Sequence, residues 1–452
     1  MAFQGNLLSK TLVIGIIFLL IGMSTIPSIA IDTDKKSSML ISEGNTLYVG
    51  GSGEGNYTSI QDAIDNASDG DNVFVYNGTY IENNVLSVSI ELIGENRNST
   101  IINGKRKDAV IKVLAEGVTI SNFTIQKSSN DSYGIYILSD YNNIFSNYIE
   151  DGWGGILVRN GNYNKIFDNL VENIQCHGIK LHSYHGGICK YNNVFDNTIH
   201  FPGWAKDYSD GISVYDSDNI ISGNTIIDCR EAGIYINDEC YDNLILNNNI
   251  MGVKRQIYSG ILFRTGNYGI EASGNYISGC VHGILVNGEG FNISDNIIFD
   301  NKYGIYVAAV HDYPKSISNN NITNSRIIGI SLVSYTSSCI VSNNIIDGGY
   351  YGIELEGSSN KIIRNTIKNT HVGVDVYGAF NRIISNNFID NIKHTRFFNY
   401  GNRWDRNYWG EPLSHPKIIF GGLSALGFFY LIPWFNIDLR PAKEPYNIEV
   451  VI

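Results

Sequence analysis

Two stretches of the chain read almost alike: Gly211-Ile212-Ser213-Val214-Tyr215-Asp216 and Gly233-Ile234-Tyr235-Ile236-Asn237-Asp238. Each opens on Gly-Ile, alternates aliphatic with polar residues and closes on an acidic turn. The phrase, once with Val for Ile, is anchored at Gly134, Gly155, Gly178, Gly211, Gly233, Gly260, Gly283, Gly304, Gly329, Gly352 and Gly373, at intervals of 21, 23, 33, 22, 27, 23, 21, 25, 23 and 21 residues. Alternation at period 2 inside a period near 22 marks a solenoid, because one such repeat cannot bury its apolar face alone and must stack on its neighbours.

A second phrase accompanies the first: an aliphatic residue, Asn three positions on, and an aliphatic two beyond, as in Ile144, Asn147, Ile149 and in Ile362, Asn365, Ile367. It predicts two strands per coil, with an Asn at each corner that bonds its counterparts above and below and tolerates a left-handed backbone. Residues 46–108 read as an N-terminal cap and first coils. Within them Thr58-Ser59-Ile60-Gln61 has the form of a capping box before a short amphipathic helix that covers the open end of the stack. The repeat proper runs over 109–395. Residues 396–452 hold Trp404, Trp409 and Trp434 and most of the prolines, and read as an irregular C-terminal cap. Ile418 to Phe435 is apolar enough to suggest membrane or cell-envelope contact, though Pro433 and its glycines make it a poor spanning segment.

Composition agrees with an all-β chain: 452 residues, 47 Gly, 29 Tyr and only 17% charged. A net charge of -12 excludes a nucleic-acid surface, which needs clustered Lys and Arg. Lys10 ahead of the apolar run Thr11 to Met23, and Ser28-Ile29-Ala30 after it, predict a signal peptide over 1–30 and export to the cell surface; 31–45 reads as a disordered tether. Six cysteines are too few for a disulfide scaffold and fit buried thiols as well as bridges. Eight Asn-x-Ser/Thr sites suit a surface glycoprotein.

The Gly-Ile strands, the Asn-x-Ile strands and the segment Ser59-Ile60-Gln61-Asp62-Ala63-Ile64, Gly70-Asp71-Asn72-Val73-Phe74-Val75, Gly78-Thr79-Tyr80 resemble the right-handed parallel β-helix repeat family of pectin-lyase-like fold, and more narrowly NosD-like surface proteins. The resemblance covers about residues 46–395. It implies an all-β, single-stranded right-handed parallel β-helix of about 13 to 15 coils. The superfamily includes pectate lyases, glycoside hydrolases, epimerases, phage tailspikes and accessory proteins, so fold does not select function. NosD likeness also implies copper-centre maturation, for which Cys176, His177, His182, His185 and Cys189 form the one soft-ligand cluster; no Cys-x-x-Cys or Met-rich motif accompanies them.

The repeat also serves as a ruler. If the residue after each Gly points inward, those two and four after it, and the one before it, share the outer face. Read this way, Arg159, His177, Lys180, His182, Asp210, Tyr215, Tyr235 and Asn237 gather on the coils of Gly155 to Gly233. The single 33-residue interval lies there too and contains Trp204 and Tyr208, a platform for a sugar ring. Asp216 and Asp238 fall on neighbouring turns. For proton abstraction beside a uronate carboxylate, Arg159 and Lys180 would neutralise the carboxylate and His182 or Tyr215 would be the base; for hydrolysis, Asp210, Asp216 and Asp238 are the candidate carboxylates, with an ordinary Asp-Gly turn as the alternative at Asp210 and turn acids or a weak Ca²⁺ site as the alternative for Asp216 and Asp238. Extracellular polysaccharide is the expected partner, with an adhesive surface protein lacking any ligand site as the alternative.

Overall fold

The computed structural model describes residues 44–201, 209–252, 257–308, 313–333, 335–424 and 431–449, so the sequence expectations for 1–43 lie outside the described residues. The described residues form one compact unit, a right-handed parallel solenoid of about 15 turns. Its strands make three parallel sheets. The first has 16 strands, from Thr46–Val49 to Arg403–Asp405; the second has 14, from Asn84–Leu86 to Lys393–Phe397; the third has 14, from Gly78–Tyr80 to Asn387–Ile389. Each coil therefore carries three strands, not two. In one coil Ala232–Ile236 belongs to the second sheet, Leu244–Leu246 to the first and Asn249–Met251 to the third. The Ile-x-x-Asn-x-Ile phrase spans a corner between two short strands, and three-residue strands are too brief to show a period of their own.

The corners are held by asparagine ladders. Asn248 is representative: its backbone N and its Nδ2 both donate to Oδ1 of Asn275 in the next coil, at 2.9 and 3.0 Å, while Nδ2 also reaches Ile221 O and Leu246 O. The same pattern runs from Asn147 through Asn169, Asn197 and Asn224, and on through Asn296, Asn320, Asn344, Asn365 and Asn386 to Asn407. These amides are buried and saturated, which is how an apolar interior tolerates them. The left-handed residue is not the ladder Asn but the one before it: Ser146, Asp168, Asp196, Asn247, Asp295 and Asn319 all have φ between 52 and 59°.

The repeated glycine answers a different need. A Cβ on Gly233 would fall 2.5 Å from Ile250 Cγ2 and 2.6 Å from Gly260 O, and Gly329 would meet Ile346 and Gly352 O in the same way. The glycine backbone thus packs directly on the core residue of the third sheet and on the coil above, a close approach only glycine permits. Because its missing side chain points inward, as Ile234 does, the residue before it stays on the outer face with the residues two and four after it.

Both ends of the described unit are closed. The helix Ile60–Asp65 is capped by Ser59, which accepts from Asp62 N, so the cap lies one residue beyond the Thr58 that the capping-box pattern marks. Glu82 adds its carboxylate to the helix start by accepting from Ile60 N and Gln61 N at 3.1 and 3.0 Å. At the other end an antiparallel hairpin, Lys417–Ser424 with Leu431–Asp438, delivers Asp438 beneath the last ladder residue. Its carboxylate accepts from Arg406 N, Asn407 N, Asn407 Nδ2 and Trp409 Nε1, so the ladder ends on an acceptor. None of the six cysteines is in a disulfide, and five lie in the interior.

Replacing Asn275 by Leu fills the corner but strands the N–H groups of Asn248 and the carbonyls of Ile245 and Ser273. At about 1–3 kcal/mol per buried unsatisfied group, a loss of roughly 3 kcal/mol or more is expected, read as a lower urea midpoint; an unchanged midpoint would refute the role given to the ladder.

Candidate functional site

The outer face of the second sheet on the coils of Gly155 to Gly233 has two tiers. The inner tier is His177, Asp210 and Ser213, all buried. Asp210 precedes Gly211 and Ser213 lies two beyond it, and they meet on the outer side: Ser213 Oγ donates to Asp210 Oδ2 at 2.8 Å. His177 Nδ1 lies 3.0 Å from Ser213 Oγ and 3.3 Å from Asp210 Oδ2. Since the hydroxyl gives its proton to Asp210, it accepts from an Nδ1–H of His177. Asp210 Oδ1 takes a further bond from Ala232 N at 3.2 Å. Burial works against a charged imidazole here, but the hydrogen bonds and charges of Asp210 and Cys176 overcome it and hold His177 up at about 8. Burial chiefly, with the charges of Cys176, Tyr215 and Asp210 adding to it, pushes the Tyr133 hydroxyl well up.

The outer tier is partly exposed. Arg159, His182 and Tyr215 are register partners on three successive strands, and Lys180, Ser213 and Tyr235 form the column beside them. Arg159 donates to Tyr136 Oη at 2.9 Å and its guanidinium stacks 3.9 Å over the ring of Tyr184. Lys180 Nζ sits 4.3 Å over Tyr215, whose ring meets those of His182 at 5.0 Å and Tyr235 at 5.8 Å. Tyr235 Oη donates to Asn237 Oδ1 at 3.0 Å. Burial, then the charges of Lys180, Arg159 and His177, push His182 down to about 4, so it is a neutral imidazole between two cations at neutral pH. Burial lowers Lys180, against the pull of Cys176 and Asp210. Burial also drives the Tyr215 hydroxyl far up, which leaves His182 as the better proton acceptor of the two.

Asp216 and Asp238 stand apart from this arrangement. Asp216 accepts from Cys189 N and Ser217 N, both at 2.7 Å, and Asp238 accepts from Thr265 N at 3.0 Å with Arg264 Nε at 3.5 Å. Their carboxylates tie turns of successive coils together. Trp204 and Tyr208 lie outside the described residues. Three contributors stand beyond the residues that the sequence singles out. Tyr136 and Ser213 occupy the column two after Gly, where the ruler already placed them. Tyr184 comes from the first part of the long interval: Gly178 to Asn193 spans 15 positions against 9 from Gly134 to Asn143, so the excess begins before residue 200.

For copper, the donors do not converge. Among the described residues no three of His, Cys, Asp and Glu stand together as a metal set. Cys189 is buried, its Sγ 3.7 Å from Val158 O, and burial raises its thiol to about 12, while His177 is engaged by Asp210.

Residues 253–430 match the family described as periplasmic copper-binding protein (NosD), and residues 87–250 match the right handed beta helix region. No curated protein matches the sequence. Solved structures similar to the chain include an alginate lyase from Paenibacillus sp. str. FPU-7 (13% identity over 79% of this chain and 99% of that one, TM-score 0.33). A periplasmic alginate epimerase (13%, 75% and 76%, TM-score 0.42) and the catalytic domain of an α-1,3-glucanase in complex with tetrasaccharides (14%, 74% and 67%, TM-score 0.42) are also similar.

The inner tier is testable by titration. An imidazole held at about 8, above its ordinary 6.5, stabilises the fold fully below about pH 6.5 and loses that contribution as pH rises through 8. NMR of labelled histidine should show one ring titrating near pH 8 and falling in Asp210→Asn, with a second, His182, neutral down to about 4. A His177 midpoint unmoved in Asp210→Asn would dismiss the pairing.

Proposed function

We propose that this chain, a right-handed parallel β-helix with a NosD-like segment, is an exported cell-surface protein that binds extracellular polysaccharide on the outer face of its second sheet. The observation that carries the reading is the convergence of Arg159, Lys180 and neutral His182 with Tyr184, Tyr215 and Tyr235 on successive coils. Aromatic rings take the apolar faces of sugars, and two cations on an otherwise acidic chain of net charge -12 select carboxylated ones. Strands about 4.8 Å apart present these groups at intervals along the solenoid axis, which suits an extended polymer better than a small ligand. A depression of about 500 Å³, lined by Tyr268, Phe291, Tyr313 and Ile340, lies on the first sheet. Processing is the second reading of the same face: a neutral imidazole beside two cations has the parts for abstracting a proton next to a neutralised carboxylate. Export rests on the apolar N-terminal run and on the periplasmic description of the matched family.

Alginate and pectate should bind, with affinity falling as salt rises. The triple variant Arg159→Ala, Lys180→Ala, His182→Ala should lose at least about tenfold in affinity, or 1.4 kcal/mol. Undiminished binding by that variant would sink the assignment. Ultraviolet absorbance of unsaturated ends separates processing from binding alone.

A further inference from the structure

Between Ile418 and Ile437 the sequence carries no Asp, Glu, Lys or Arg. The two strands of the terminal hairpin lie in this stretch, with Lys417 and Asp438 as register partners at its foot. Alternation and register sort the side chains into two faces. Ile418 and Phe420 share one face with Ile437 and Phe435; Ile419, Gly421 and Leu423 share the other with Asn436, Trp434 and Ile432. The solenoid uses only part of the second face. Ile419 is buried, and a Cβ on Gly421 would fall 2.6 Å from the ring of Phe397, so the hairpin packs there on the last strand of the second sheet. Large apolar side chains are left open on both faces: Phe420 is 72% exposed and Phe435 53% on the first, Ile432 51% and Trp434 48% on the second. Single exposed apolar residues are ordinary, but a contiguous set on one element marks a contact surface.

What covers this surface follows from its having two sides. A protein partner docks on one face of a hairpin and leaves the other in water, whereas an apolar medium that surrounds the strands covers both. A two-stranded hairpin keeps unpaired edge N–H and C=O groups, which bars it from the hydrocarbon interior and leaves it the headgroup zone, where Trp is favoured. Among the described residues no helix is long and apolar enough to cross a membrane.

Charge at the foot of the hairpin fits the same surface. Asp405, on the last strand of the first sheet, is buried and receives three arginines: Arg440 at 2.9 Å, Arg403 at 3.3 Å and Arg406 at 3.5 Å. One carboxylate does not balance three guanidiniums, each more than half exposed. Arg440 follows Asp438 by two residues, and Arg406 N donates to the Asp438 carboxylate, so these cations collar the point where the hairpin leaves the stack. Arg403 also stands in register with Arg382 and Lys361, both exposed, on the two preceding coils. Residues 361–452 hold eleven Lys and Arg against seven Asp and Glu, in a chain whose net charge is -12. Apolar insertion beside concentrated positive charge is what binds an anionic bilayer.

We propose that this hairpin seats the protein on an anionic lipid surface: Phe420, Ile432, Trp434 and Phe435 enter the headgroup zone, and Arg403, Arg406 and Arg440 meet the lipid phosphates. The contact is peripheral, and it does not depend on what the second sheet binds.

The full chain is mixed with vesicles of phosphatidylcholine alone and of phosphatidylcholine with phosphatidylglycerol, and bound protein is separated by flotation. Binding is expected to the mixed vesicles, weaker to the neutral ones and reduced by salt. Phe420→Glu with Phe435→Glu should cost at least about tenfold in affinity. Arg403→Ala with Arg406→Ala, which leaves Arg440 on Asp405, should erase the preference for anionic vesicles; the thermal midpoint should hold in both double variants. Brominated acyl chains should quench tryptophan emission, and Trp434→Phe should remove that quenching. The triple variant of Arg159, Lys180 and His182 should bind vesicles as the parent does, which separates this contact from polyuronate binding. Flotation that the glutamate pair leaves undiminished, as an N-terminal anchor alone would give, overturns the proposal, as does quenching that persists in Trp434→Phe. Failure to float with either vesicle overturns it too, and a dimer in sedimentation that the glutamate pair dissolves would then assign the hairpin to a second copy of the chain.

Discussion

Each coil of this protein is completed by the next, and the asparagine ladder is the interaction on which that depends. A corner between two three-residue strands leaves backbone groups that no strand can pair, in an interior otherwise filled by Ile and Val. The ladder amide supplies both a donor and an acceptor at that point, so one residue type repeated at one position satisfies every corner in turn. The arrangement has no natural end. Asp438 is the answer at the C-terminal side: a carboxylate accepts without requiring a further acceptor and stops the series. Glu82 does comparable work at the start of the helix.

With the interior fixed by repetition, variation is pushed outward. The bare glycine that lets coils approach also keeps the preceding residue on the outer face, so each coil offers three outward positions at constant height. Along that face the chemistry runs from Arg159 and Lys180, through the apolar cluster of Leu262 and Leu285, to Glu354 and Glu356. The rigid spacing of the coils thus holds the cations Arg159 and Lys180 several coils away along the axis from the acids Glu354 and Asp375.

Much of this was legible in the glycine spacing and in the Asn-x-Ile phrase, because both express contacts that recur in every coil. Where reading failed, the reason was local. A corner between two strands of three residues leaves the same trace as one strand, so three strands looked like two. The left-handed residue before Asn147 is Ser146 and before Asn365 is Arg364; with no fixed identity, it left no pattern to follow. Tyr184 was missed because the long interval divides into two excess segments, and sequence alone does not say at which turn an insertion emerges.

By itself the sequence determined the class of fold, the period, the inward residues and which side chains share a face, since all of these follow from alternation and from what glycine and asparagine can do at a repeated position. Tertiary structure decided the depth and charge of each group on that face. Nothing in the sequence separates His177, buried against Asp210 and held at about 8, from His182, half-buried between two cations and pushed to about 4. Both are outward histidines of one coil, and only the neighbours brought in from adjacent coils set one as a cation and the other as a base.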